Sequence, residues 1–522
     1  MIIQKSNKLT YMSNNNTMSY ISAYRTYLLC FISTLKVMLN GITSIINYIL
    51  YLSELCNNLQ EYIDLNINNG VDILLAPLGI NNLSESIFNP WFSGYTDAEG
   101  YFSFFYRRAT TTACRFELCI ALHRDEAILL TALQKRLNLG NVMVRGYKAT
   151  LIIGSKAELL ILFGILENNT LNSSKYLNYL SFKQAYEIYH KCISDANQEG
   201  IDSASLLFKT KKELLGIRST INKRRINFIM PKSHNIKITP YWILGFVEGD
   251  GSFNVRTRGS TLIFGIVQAV CELILMKAIQ QYLLSLPGNH VVRSKSKLVA
   301  LYIIQPSANS SINQKAFVKL DVTDTKFIKN VVVPFFDSLT FLSKKRLDYR
   351  DWVSILRLRI NGQHFTEEGQ LLIPLIAQSM NNGRLSTNKA KPTLSNSPCF
   401  PLALFSQHSR ENKENQENKE YSKSINLRLQ SLLNSPSNYA VQADGRTLIV
   451  SMGTYLPNSG GVELYDEVVG VLFNSFTTQA DCASFLELSR STVSRWLIKG
   501  RTFEFKGKLL RIQRKANTDE LS

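Results

Sequence analysis

Acidic side chains are scarce in this chain of 522 residues: 40 Asp and Glu stand against 59 Lys and Arg, for a formal net charge of +19. Such an excess points to a polyanionic partner, nucleic acid first. Cysteine and histidine are sparse as well. Cys30, Cys56, Cys114, Cys119, Cys192, Cys271, Cys399 and Cys482 are scattered. The closest pair, Cys114 and Cys119, has His123 nearby but no fourth ligand at zinc-site spacing, which argues against both a disulfide framework and a structural zinc. Residues 1–53 have no acid at all, only Lys5, Lys8, Arg25 and Lys36. That bias is similar to a mitochondrial presequence, though poor in Arg. Tyr27 to Leu52 is apolar and long enough to span a bilayer, but Lys36, Asn40, Thr43, Ser44 and Asn47 interrupt it. We read residues 1–85 as an amphipathic leader or an upstream-frame extension, with a membrane span as the alternative.

With hydrophobic residues at 45%, the remainder is long enough for two to four domains, at roughly 100–200 residues each. An internal repeat organises it. Trp91-Phe-Ser-Gly94-Tyr-Thr-Asp97-Ala98-Glu99-Gly100 returns as Trp242-Ile-Leu-Gly245-Phe-Val-Glu248-Gly249-Asp250-Gly251. Pro90 and Pro240 suit first helical turns, and Gly100 and Gly251 suit C-caps, so each copy reads as a short helix. Gly94 and Ala98 stand four apart, as do Gly245 and Gly249, and small residues at that spacing let two helix backbones approach closely. Packing the copies together brings Glu99 and Asp250 to adjacent helix C-termini, where the macrodipole is already negative. A hard divalent cation, Mg²⁺ above all, is the natural partner of such an oxygen pair and leaves coordination positions for water and phosphate. Asp97 and Glu248, two positions earlier, read as local structural partners.

These two nonapeptides resemble the paired motifs of the LAGLIDADG homing endonucleases, of the single-chain, double-motif type encoded within organellar group I introns. The flanking patterns agree. After each motif come two strands, a helix, two strands and a helix: Phe102–Arg108, Arg115–Leu122, Ala127 to Leu139, Val142–Lys148 and Thr150–Ile153 in the first half. Ser252–Arg258, Leu262–Gln268, Leu273 to Leu286, Val291–Lys297, Leu298–Ile304 and Phe317–Val322 follow in the second. The expected fold is α+β, two pseudo-twofold-related αββαββα units forming a DNA-binding saddle. Arg107, Arg108, Arg115, Arg145 and Lys148, with Arg256, Arg258, Arg293, Lys295 and Lys297, fall on or beside these strands as candidate DNA contacts. Lys175-x-x-Asn178-Tyr179-x-x-Phe182 pairs with Lys345-x-x-Asp348-Tyr349-x-x-Trp352. The resemblance implies that Lys175 and Lys345, with Lys344 as an alternative to the latter, lie near the scissile phosphates. It also implies that Gln268 positions hydrolytic water, whereas its first-half counterpart is Leu122. Thr366-Glu-Glu-Gly369 with Met380-Asn381-Asn382 resembles the helix closing such a unit, and Asn197-Gln-Glu-Gly200 with Asn222 is a looser echo.

From about Ser386 the text turns to Asn, Ser, Lys, Glu and Pro, a flexible linker lacking a spaced apolar face except near Leu427–Leu433. Beyond it, Val462–Asp466 and Val471–Phe473 suggest a hairpin. Thr478 to Ile498 then suggests two helices about a turn at Glu487–Ser489, with Ser491, Thr492, Ser494 and Arg495 exposed for DNA. This resembles the NUMOD-type modules at the ends of homing endonucleases. The expected division is 1–85 leader, 86–230 and 231–385 the two LAGLIDADG domains, 386–440 linker, and 441–522 a small helix-turn-helix module.

The resemblance implies a monomeric endodeoxyribonuclease, dependent on Mg²⁺ or Mn²⁺, with Glu99 and Asp250 as metal ligands and Lys175, Lys345 and Gln268 in support. It would cut double-stranded DNA at an intronless allele, promoting intron mobility, with no obligate protein partner. A maturase that binds group I intron RNA is the rival, alone or alongside cleavage, and a DNA-binding regulator the third reading. Frequent Asn, Ile, Lys, Leu and Tyr suit an AT-rich organellar gene and mitochondrial placement.

Overall fold

A computed structural model describes residues 80–106, 108, 112–199, 202–256, 259–288, 298–306, 315–388, 424–442, 446–456 and 460–515. Residues 1–79 of the expected leader lie outside these residues; 80–85, assigned to it as well, instead open the core unit, with Ile80 buried in the core and Arg136 donating to the Leu83 carbonyl at 2.7 Å. Among the described residues no helix is long and apolar enough to cross a membrane.

The first unit runs α1 (Glu85–Glu99), β1 (Gly100–Tyr106), β2 (Cys114–His123), α2 (Ala127–Leu137), β3 (Asn141–Arg145), β4 (Lys148–Ile153), α3 (Lys156–Asn168), α4 (Lys175–Glu199) and α5 (Ser203–Arg218). The second repeats it: α6 (Pro240–Asp250), β5 (Gly251–Arg256), β6 (Thr261–Ala269), α7 (Leu273–Ser285), β7 (Ala300–Ile304), β8 (Phe317–Val322), a helical run over 325–337 (α8), α9 (Lys345–Ile360) and α10 (Glu367–Gln378). Each sheet is antiparallel, in the orders β1-β2-β4-β3 and β5-β6-β8-β7. Alternation along the strands assigns the faces. Phe102, Phe116, Leu118 and Leu151 of one sheet, and Phe253, Phe264, Ile266 and Leu320 of the other, are buried against the helices. The opposite face of the first sheet carries Arg115, Met143 and Arg145, all exposed.

α1 and α6 cross at the junction of the units, closer than side chains would permit. A Cβ built on Gly94 would strike the carbonyl oxygen of Trp242, and one on Gly245 that of Trp91; Gly249 faces Ala98 in the same way. Gly100 and Gly251 end the helices with φ of −75° and −78°, ordinary extended values. They are glycine for space, because a Cβ would lie 2.8 Å from the Thr96 carbonyl oxygen in one and 2.6 Å from the Val247 one in the other. Pro240 opens its helix behind the Thr239 cap as expected, but Pro90 does not: α1 begins five residues earlier and carries Pro90 inside.

The units close alike. Asn222 and Asn381, both at positive φ (57° and 52°), donate from Nδ2 to the carbonyls of Phe102 and Phe253. Arg225 and Arg384 donate to Asn178 and Asp348 at 2.8 Å each. The expected echo is displaced, however: Asn197–Glu199 belongs to the end of the long α4, and the closing helix α5 starts after Asp202, which accepts from the Ser205 amide. The segment leaving the second unit then returns to the first. Asp125 accepts from the Ser386 amide (2.7 Å) and hydroxyl (2.6 Å), and His123 Nε2 meets Thr387 Oγ1 at 3.0 Å.

Parts of the expected linker are ordered. Residues 424–433 form a helix (α11) whose Leu429 and Leu432, three apart, are buried in the core, and Arg428 pairs with Glu368 at 2.7 Å. A small sheet, β9 (Tyr439–Val441), β10 (Thr447–Ile449) and β11 (Thr454–Tyr455), follows. The last unit is a four-stranded sheet, β12 (Val462–Asp466), β13 (Leu472–Phe476), β14 (Thr502–Phe505) and β15 (Lys508–Arg514), ordered β13-β12-β15-β14. Its helices α12 (Gln479–Phe485) and α13 (Arg490–Lys499) bury Cys482, Ala483 and Val493 with Val462, Leu464, Leu510 and Ile512. The C-terminal module is thus a helix pair on a sheet.

In an open helix, Gly245→Ala would stabilise by about 1 kcal/mol through propensity. Here the collision with the Trp91 carbonyl reverses the sign, and we expect a loss of about 1–3 kcal/mol in denaturant midpoint measurements. A stabilised Gly245→Ala protein would refute the close crossing.

Candidate active site

The crossing is locked by an exchange between the units. Trp91 Nε1 donates to Glu248 (2.5 Å) and Trp242 Nε1 to Asp97 (3.0 Å). Each acid also holds the turn that leads into the long helix of its own unit. Asp97 accepts from the amides of Asn172 (2.7 Å) and Ser173 (3.0 Å) and from the Ser173 hydroxyl (2.5 Å). Glu248 accepts from the amides of Leu342 (2.8 Å) and Ser343 (2.6 Å) and from the Ser343 hydroxyl (2.7 Å). Burial pushes Glu248 up to about 7 and raises Asp97, while those donors favour the carboxylate in both. Asp97 and Glu248 are therefore structural anchors.

A second exchange has no counterpart in the sequence reading. Glu272, just after β6, accepts from the Ser174 amide of the first unit at 3.0 and 3.1 Å. Glu126, just after β2, accepts from the Lys344 amide of the second. Each acid thus holds the start of the other unit's long helix. The strand registers, Gly100↔Ile120 and Gly251↔Ile266, make Glu126 and Glu272 equivalent, and extending the repeat alignment six residues past those isoleucines would have found them.

Glu99 and Asp250 end α1 and α6 in the middle of this frame. A Cβ on Gly249 would lie 3.6 Å from Glu99 Oε1, so the Glu99 carboxylate lies against the residue preceding Asp250. Burial raises both above the ordinary carboxylate range. Asp250's charge raises Glu99 further, while Lys175 and Lys345 oppose the shift in both. Gln268 Nε2 donates to Asp250 Oδ2 at 2.7 Å. Leu122, the residue in register with Gln268, gives Glu99 no such donor. Lys175 Nζ reaches the carbonyls of Ala98 and, at 3.4 Å, Thr96; burial lowers its pKa against the pull of Asp250, Asp97, Glu99 and Glu272. Of the two alternatives, Lys345 lowers Glu99, Asp250 and Glu126, and Lys344 lowers Asp125 and Glu126. A cleft of about 320 Å³ opens beside Glu99, lined by Leu122, Glu126, Lys344, Lys345, Arg384 and their neighbours.

Two half-buried carboxylates that repel each other, at helix ends already negative, form a donor set suited to a hard divalent cation. Among the described residues no group of three or more His, Cys, Asp or Glu could enclose one. A cation at this pair would complete its shell with water and phosphate, the habit of Mg²⁺.

Arg108, Arg115, Arg145, Lys148 and Arg256 are exposed on or beside the strands, with Arg115 paired to Glu117. Arg107, Arg258, Arg293, Lys295 and Lys297 lie outside the described residues. In the last unit Ser491 and Arg495 are exposed, but Thr492 and Ser494 are half-buried, contrary to expectation. Ser489 caps α13 by accepting from the Thr492 amide (3.1 Å), and its hydroxyl lies 2.8 Å from Thr492 Oγ1, which draws Thr492 into the cap.

Residues 92–186 and 243–356 match the family described as LAGLIDADG endonuclease. The chain is 26% identical over 320 residues to an uncharacterized mitochondrial protein, RF1, of Saccharomyces cerevisiae, which covers 59% of this chain and 62% of that protein. It is 28% identical over 311 residues to a probable intron-encoded endonuclease 3 of Neurospora crassa, covering 55% and 54%. It thus spans little more than half the length of these relatives. Among solved structures, the LAGLIDADG meganuclease I-CpaMI bound to uncleaved DNA is 25% identical, with a TM-score of 0.45 over 56% of this chain and 99% of that one.

Because burial raises Glu99 and Asp250, each stabilises the fold most at low pH and costs stability as the pH rises through its folded pKa. Glu99→Gln and Asp250→Asn should therefore raise Tm in EDTA at pH 8, with a smaller gain at acid pH. Added Mg²⁺ should raise the Tm of the unmodified chain and leave these two variants unmoved. Equal Mg²⁺ responses in all three would remove the pair as the metal site.

Proposed function

We propose, taking the core's membership of the LAGLIDADG endonuclease family as premise, that this chain is a monomeric endodeoxyribonuclease that breaks both strands of DNA at a specific site. The site would be the intronless allele of its own host gene, so that cleavage promotes intron mobility. The observation that supports this most directly is the pair Glu99 and Asp250, held together by two helices whose contact leaves no room for side chains. Mg²⁺, or Mn²⁺ in its place, would be held by these two acids, and when bound it supplies a water of lowered pKa and offsets charge on the phosphate.

The remaining roles belong to the chain. Gln268 fixes one oxygen of Asp250 and has its amide oxygen left to orient the attacking water in the second unit. Lys175 and Lys345 offset the charge of both acids and of the phosphate drawn against them. Glu126 and Glu272 keep the lysine-bearing helices aligned with the opposite unit. Arg108, Arg115, Arg145, Lys148 and Arg256, with Arg107, Arg258, Arg293, Lys295 and Lys297 as further candidates from the sequence, track the phosphate backbone and contact base edges in the groove. The two cuts proceed at unequal rates, since Leu122 offers no hydrogen bond where Gln268 offers two. The C-terminal module, resembling the NUMOD type, adds a second DNA contact and raises effective concentration at the site. Kinship to a protein described as mitochondrial favours mitochondrial placement.

A supercoiled plasmid carrying the joined exons tests this. The unmodified chain with Mg²⁺ should give nicked and then linear DNA, and Glu99→Gln or Asp250→Asn should lose linearisation by about 10³-fold while still binding. Leu122→Gln should shorten the nicked phase, and Gln268→Leu should slow one strand by about 10- to 100-fold. No cutting, with tight binding to the intron transcript, would replace this reading with an RNA maturase.

A further inference from the structure

α3 and the helical run α8 occupy the same place in the two units. Each begins behind a capping side chain two residues past the end of a strand, β4 in one unit and β8 in the other. Ser155 accepts from the Glu158 amide (3.3 Å), and Asp324 from the Phe327 amide (2.8 Å). Counted from those caps, Leu159, Leu162 and Phe163 of α3 match Ile328, Val331 and Val332 of α8, and all six are buried.

The outward faces differ. α8 has Lys326, Lys329 and Asn330 where α3 has Ala157, Leu160 and Ile161. Leu160 and Ile161 are 54% and 55% exposed. One turn further on stands Gly164, where a Cβ would meet nothing within 4 Å. Glycine at Gly94 and Gly245 is required by a backbone in contact; at Gly164 nothing in the described chain requires it, and in a helix interior it is less stable than alanine. Exposed aliphatic residues three and four positions before a glycine form a surface that a second helix can approach closely.

The ends of this face carry opposite charges. Lys156 is exposed in the first turn and Glu167 in the last, each at the helix end whose dipole it opposes. Glu158 is turned inward to the amides of Gly140 (2.8 Å) and Ser155 (3.0 Å). Glu167 and Glu187 share Lys183, so the far end keeps a net negative charge. An identical helix laid antiparallel would bring each Lys156 to the Glu167 of the other copy, whereas a parallel one would set like charges together. The face is thus complementary to itself.

We propose that α3 is a self-association surface, pairing antiparallel with α3 of a second copy about a twofold axis near Leu162. Leu160 of each copy lies over Gly164 of the other, Ile161 packs beside the axis, and Lys156 meets Glu167. Each chain keeps both of its centres, so the cutting unit is still one chain and the pairing joins two complete molecules. A contact one helix wide belongs to the small, reversible class of interface. The second unit does not pair in this way, because Lys326 and Lys329 keep its equivalent face in water.

Sedimentation velocity of the full chain without DNA tests this, over about 1–100 µM, the range of a small interface. The unmodified chain should pass from monomer to dimer. Leu160→Lys with Ile161→Asn installs the residues that the second unit carries at these positions, and should leave Tm unchanged while weakening association by at least about 10-fold. Gly164→Ala should raise the Tm of the dilute chain and still weaken association by about 10-fold, a combination that a role in folding alone would not give. Lys156→Glu and Glu167→Lys should each stay monomeric alone and pair when mixed. A monomer at every concentration would overturn the proposal, as would charge variants that fail to pair on mixing. Equal association in the unmodified chain and the double variant would also overturn it and move the contact elsewhere, to the apolar Tyr27–Leu52 for example. A monomer whose binding to lipid vesicles is lost in the double variant would give the face to a membrane surface instead. None of these outcomes depends on the nuclease reading, and plasmid cleavage below the association range should be unchanged in the double variant.

Discussion

The closest contact in the core is between two backbones. Gly94 and Gly245 face the carbonyls of Trp242 and Trp91, and every other element of the core is placed relative to that crossing. Such a crossing fixes distance but little else, since two smooth helices slide and rotate with small cost. The exchanged tryptophans supply what it lacks. Each indole donates to an acid on the other helix, so a shift along either axis would strand two buried carboxylates. The carboxyl ends of the helices are thereby held together although their charges repel.

Six buried or largely buried carboxylates surround this junction, and their hydrogen bonding divides them. Asp97 and Glu248 have four donors each, Glu272 takes the Ser174 amide and Glu126 the Lys344 amide. Asp250 has one, from Gln268, and among the described residues no hydrogen-bond donor reaches Glu99. Four of the acids are thus held by main-chain amides, whereas among the described residues Asp250 meets only a side-chain amide and Glu99 no donor, and half-buried charge with so few donors is costly. These two acids are also the pair at the helix ends, where peptide dipoles add to the repulsion. Hydrogen bonding and position therefore single out the same two residues.

Much of this was legible in the sequence because it is written locally. Glycine four before Ala98 or Gly249, and acids two and zero residues before each helix end, are properties of single segments, and the duplication shows which recur. Strand alternation likewise gave both sheets. What was missed depends on contacts across the units. Glu126 and Glu272 are ordinary acids in a short turn after a strand, and their partners lie in the other half of the chain. The start of α1 was hidden by Pro90, which reads as a first-turn residue yet sits inside the helix. The closing helix of the first unit was misplaced because a Glu-Gly pair at the end of α4 mimics a helix start, while the true start follows Asp202. Thr492 looked exposed on a helical wheel, but a wheel does not include the Ser489 cap that draws it in.

Duplication within one chain has a consequence that a pair of identical subunits could not have. In a symmetric dimer every residue is present twice, so a change that alters one active centre alters both. Here the centres already differ. Gln268 holds Asp250 where Leu122 offers nothing to Glu99, and Asp125 and His123 receive Ser386 and Thr387 where the second unit has Cys271 and Ala269 in the equivalent positions. The features that stay alike, the glycine crossing, the exchanged tryptophans and the paired long helices, each span both units and would lose partners on both sides if either copy changed. Features confined to one side of the junction carry no such penalty. Symmetry persists where the physics couples the halves, and the divergence between the two centres lies where it does not.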